Sequence, residues 1–203
     1  MTKETNRFLE ASLEAAEVIA DSLIDSEIIK SIPVVGTALK VLSGTRDLRD
    51  KIFVSKIQRF LLEIEHLSKE EILEFNERIT SDEEAMRNVG ETTLLVLDKL
   101  SDIKKAELLG FYYSCFLSGH LDQYQFKRIA AAIDTAFIDD IELFLKSGLD
   151  EILSQKQFMK ALFSSGMTVI SAGKSWNDTG ELFYEASSIG RHIIELWKDF
   201  KQS

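Results

Sequence analysis

The sequence predicts a mainly α fold, a multi-helix bundle with one small β-hairpin near the C-terminus. Three observations predict it. Only one proline and ten glycines occur in 203 residues, so helices have few breakers to end them. Apolar residues recur at three- and four-residue steps through most of the chain, the period of a helix with one buried face. Near the end, two short β-favouring runs flank a stretch rich in Gly, Ser, Asn and Asp, which reads as a hairpin.

Asn6–Lys30 is expected to form the first helix, with Phe8, Leu9, Leu13, Ala16, Ile19, Leu23 and Ile28 on one face. Pro33 stops it, because a proline disfavours the α conformation of the residue before it. Pro33–Leu42 is the least polar stretch and is about half the length a bilayer crossing requires. Thr45–Leu67 reads as a long helix with Leu48, Ile52, Phe53, Ile57, Phe60, Leu61, Ile64 and Leu67 inward. Its first half carries Arg46, Arg49, Lys51, Lys56 and Arg59, a basic stretch in an acidic chain.

Ser68-Lys69-Glu70-Glu71 is a capping box, in which the serine oxygen accepts from the Glu71 amide and the glutamate reaches back. It starts a helix with Ile72, Phe75 and Ile79 inward. Ser81–Glu84 is a second box, starting a helix to about Lys99. Ser101–Ser118 follows, ended by Gly119, and contains Cys115 among Tyr112, Tyr113, Phe116 and Leu117. Asp122–Gln125 is a weaker box opening a helix to Gly148, with a break expected near Asp139-Asp140. Ser154–Ser165 then reads as a helix, Met167–Ser171 and Glu181–Glu185 as strands, and Ser187–Phe200 as a final amphipathic helix. The expected organisation is three segments packed as one body: residues 1–67, 68–148 and a winged-helix-like 149–203.

Composition narrows function. With 24 Lys+Arg against 34 Asp+Glu the net charge is −10, so attraction of the whole molecule to a phosphate backbone is unfavourable. In the winged-helix-like end the basic residues Lys156, Lys160, Lys174, Arg191, Lys198 and Lys201 are balanced by acidic ones, and no DNA partner is expected. One cysteine excludes an internal disulfide and a thiolate metal cluster. A cysteine among aromatic neighbours reads as a buried structural thiol. Glu63-Ile64-Glu65-His66 holds one Glu-x-x-His step, but Leu117 and Ile189 stand at the matching positions before His120 and His192. A di-metal bundle needs two such steps, so no metal and no cofactor are expected. Gly173-Lys174-Ser175 imitates the end of a phosphate loop, but Thr168 stands where its first glycine is required. With no signal-peptide pattern at Met1–Glu10, the expected location is cytoplasmic, with a peripheral site at the inner membrane under the docking reading below.

Arg59-Phe60-Leu61-Leu62-Glu63-Ile64-Glu65-His66 resembles the arginine–histidine signature of the HEPN ribonucleases, a helical family. The resemblance implies Arg59 and His66 as catalytic residues, the cation stabilising phosphorane charge while the histidine handles a proton. Lys104–Gly110, Gly119–Asp122 and Phe137–Asp140 are similar in rhythm to a tellurite-resistance-type helical domain. With Ser164–Met167 and Tyr184–Gly190 they resemble small bacterial helical proteins. Ile32–Thr37 resembles the apolar glycine-containing segments of bacterial stress and phage-defence effectors. These likenesses imply a bacterial defence or stress setting.

The leading expectation is a non-enzymatic interaction protein working through Pro33–Arg59. Val34, Val35 and Leu39 supply its apolar contact, and Arg46, Arg49, Lys51 and Lys56 orient that contact on an anionic membrane surface or a protein partner. A second copy of the chain is among the expected partners. The alternatives are the ribonuclease just described and an inhibitor that binds a basic protein through the acidic stretch Glu63–Glu84.

Overall fold

The structure is a computed structural model. It describes residues 32, 34, 48–65, 67–79, 83–149, 155–171 and 182–201. Among them the expected class holds: eight helices and one two-stranded antiparallel hairpin near the C-terminus. The helices are α1 Leu48–Leu62, α2 Lys69–Ile79, α3 Glu83–Lys99, α4 Ile103–Leu117, α5 Gln123–Thr135, α6 Ile138–Ser147, α7 Gln157–Ala161 and α8 Ser188–Lys201, with β1 Thr168–Ser171 and β2 Phe183–Ala186 between α7 and α8. The expected Asn6–Lys30 helix, most of Pro33–Leu42 and the Ser81 capping box lie outside the described residues. The chain divides into two compact units, residues 1–127 and 128–203. The division falls inside α5, whereas the sequence reading places boundaries at 67 and 148.

In the first unit α1 and α4 pack most extensively, and α2 and α3 also pack on this pair. Gly110 is what brings α4 so close to α1. A Cβ there would lie 2.5 Å from the Phe60 carbonyl oxygen and 2.9 Å from the Phe60 Cα. Around this contact an aromatic cluster fills the core: Tyr113 stands 5.2 Å from Phe60 and 5.3 Å from Phe126, and Phe116 stands 5.4 Å from Phe126 and 5.5 Å from Phe75, centroid to centroid. Such tilted and offset arrangements suit the ring quadrupoles. Ile32 and Val34 are wholly buried.

Helix α1 is buried on nearly every side, at Val54, Ser55, Lys56, Ile57, Gln58, Phe60 and Leu61, and it ends at Leu62 in a turn over Glu63–Glu65. The sequence predicts a helix running to Leu67 with Ile52 inward, whereas the helix stops at Leu62 and Ile52 is 43% exposed. Both remaining described capping boxes form. The Ser68 amide donates to Glu71 Oε2 at 2.8 Å and the Glu71 amide donates to Ser68 Oγ at 3.2 Å. The Gln125 amide donates to Asp122 Oδ1 at 2.7 Å, and the Asp122 amide donates to Gln125 Oε1 at 2.9 Å. The N-cap of α4 is Asp102, which accepts from the Lys104 amide at 2.7 Å.

The second unit packs α6 against α7 and α8, with α7 and α8 also on β2. The break expected at Asp139-Asp140 occurs earlier, at Ala136-Phe137, and the two aspartates occupy the first turn of α6. Carboxylates there face the positive end of the helix. The strands pair Thr168 with Ala186, Val169 with Glu185, Ile170 with Tyr184 and Ser171 with Phe183. Ser187 clasps the base of the hairpin to α8: its Oγ donates to the Gly166 carbonyl at 2.7 Å and accepts from the Gly190 amide at 3.0 Å. Its own amide donates to the Met167 carbonyl at 3.0 Å. A Cβ on Gly190 would collide with that same Met167 oxygen.

Candidate functional site

The outer face of α2 presents an arrangement fit to bind a partner. The inward residues of this helix are Ile72 and Phe75, 2% exposed each. The opposite side carries Glu70, Glu74 and Glu77, all exposed, and Leu73, 51% exposed among them. Residues 70, 73, 74 and 77 recur at helical spacing and so share one face.

Both ends of α2 are fastened to the C-terminal end of α4. At the N-terminal end, Ser118 Oγ donates to Glu71 Oε1 at 2.8 Å while Ser68 Oγ donates to Glu71 Oε2 at 2.7 Å. These bonds from Ser68 and Ser118 hold the Glu71 carboxyl below the usual carboxylate range, and the nearby His120 adds to the effect. Near the C-terminal end, Arg78 Nη2 donates to the Leu117 carbonyl at 2.6 Å, and the guanidinium lies 5.8 Å above the centre of the Phe75 ring. Leu117 belongs to the last turn of α4, whose final carbonyls lack helical partners, so a cation is well placed there.

The remaining perturbed groups are held by burial. Desolvation pushes the Cys115 thiol up to about 12. It also raises the Tyr112 and Tyr113 phenols. The Asp140 carboxyl is raised, first by desolvation and then by Asp139 beside it. A neutral, shielded thiol is a poor nucleophile, so Cys115 is structural, as expected.

The residues expected to form the Pro33–Arg59 surface are placed as follows. Val34 is wholly buried and Lys56 is 7% exposed. Lys56 Nζ donates to the Asp98 carbonyl at 2.9 Å, at the end of α3. These two therefore face inward. Arg49 and Lys51 belong to the first turn of α1, and Arg59 is exposed in its last turn. Val35, Leu39 and Arg46 lie outside the described residues, as does His66, the partner that the ribonuclease resemblance assigns to Arg59. Among the described residues no three His, Cys, Asp or Glu groups gather to hold a metal ion. No described helix is long and apolar enough to cross a membrane.

Sequence reasoning missed Leu73, although its signal was present: it stands off the Ile72–Phe75 stripe and between glutamates. It also missed Ser118 and Arg78, for which sequence spacing carries no signal, because their partners lie 47 and 39 residues away. Compared with protein-family models, curated proteins and solved structures, the chain matches none.

Proposed function

We propose that the protein is a non-enzymatic interaction protein, a regulator or effector in bacterial stress or phage defence, that holds a basic partner protein on the outer face of α2. The observation that carries this reading is Leu73, half exposed at the centre of Glu70, Glu74 and Glu77. An apolar centre inside a charged rim is the anatomy of a protein interface. A net charge of −10 steers a cationic partner toward the molecule. The fastening of α2 to α4 through Glu71 and Arg78 fixes the face in advance, which lowers the ordering cost of association. The bacterial setting rests on the sequence likenesses of the front and middle segments.

Docking through Pro33–Arg59 draws less support, since Val34 and Lys56 are turned inward and Ile52 and Arg59 are its exposed described side chains. The test begins with a partner recovered on the wild-type chain, identified and then titrated as a purified protein. Leu73→Asp and the triple change Glu70→Lys, Glu74→Lys, Glu77→Lys should each weaken binding by about tenfold or more, the equivalent of about 1.4 kcal/mol. Added salt should weaken the wild-type complex. Unchanged affinity in both variants would overturn the reading. Co-sedimentation with anionic vesicles that Arg59→Glu abolishes would move the function to a membrane surface, and RNA cleavage abolished by His66→Ala would move it to the ribonuclease.

A further inference from the structure

We draw no further inference here: the strongest candidate, the buried Gln58 Nε2 of α1 and Tyr113 hydroxyl of α4 in the core of the first unit, which have no hydrogen-bond partner within the protein, carries nothing, because nothing among the described residues shows a cavity or a ligand that either atom addresses.

Discussion

Gly110 lies directly against the backbone of Phe60, with no room between α4 and α1 for even a methyl group. The contact sits beside the Phe60–Tyr113 ring pair, so the two helices meet through backbone at one level and through aromatic rings at the next. Gly110→Ala should therefore destabilise the protein by about 1–3 kcal/mol, the usual cost of forcing a group into a packed core. Part of that cost is offset by the better helix propensity of alanine, worth about 1 kcal/mol. Urea denaturation should show a lower midpoint with an unchanged slope. An unchanged midpoint would mean that the helices separate at little cost.

Glycine at 190 answers a different need. It stands in the first turn of α8, where the Met167 carbonyl already accepts the Ser187 amide. Gly190→Ala sets a methyl group against that oxygen and 3.1 Å from the Phe144 ring. The clasp between hairpin and helix must then open. The expected result is faster exchange of the Ser187 amide and a loss of about 1–3 kcal/mol. A protected Ser187 amide in the variant would refute the account.

How far such features can be read from sequence depends on how local they are. The capping boxes at Ser68–Glu71 and Asp122–Gln125 were readable because both partners lie within one helical turn. The hairpin was readable because its period changes. Burial of Cys115 followed from its aromatic neighbours. The fate of Lys56 was not readable: its ammonium is accepted by a carbonyl 42 residues away at the end of α3. Of the basic residues read as a surface, Lys56 is therefore interior while Arg59 is exposed. The split between α5 and α6 was hidden for another reason. The apolar period runs on through Ile133, Phe137 and Ile141, yet Phe137 is 63% exposed at the break. The acidic face of α2 was visible as a charge run, but only the fold shows Leu73 left uncovered within it.

Glu71 makes stability depend on pH. Its carboxylate is held by Ser68 and Ser118 in the folded protein, which lowers its pKa relative to the unfolded chain. A lowered folded pKa means that the stabilisation is complete above the unfolded value and is lost as pH falls through the folded one. The wild type should thus lose part of its stability below about pH 4.5, near the ordinary glutamate value. Glu71→Gln should be less stable at neutral pH, with the difference narrowing in acid. A constant difference across the titration would show that the charge on Glu71 plays no part.

Cys115 reports on opening of the first unit. Burial raises its pKa to about 12, and the unfolded thiol titrates near 8.5. The sign here is opposite to that of Glu71. The unfolded chain gains the thiolate first as pH rises, so the folded state loses stability between about pH 8.5 and pH 12. At pH 8 the native protein should react with a thiol reagent only through opening, at a rate that follows unfolding as urea is added. Gly110→Ala should accelerate that reaction in proportion to its loss of stability, because Gly110 and Cys115 lie on the same helix. Rapid labelling of the native protein at a rate indifferent to urea would place the thiol at the surface, against its 5% exposure.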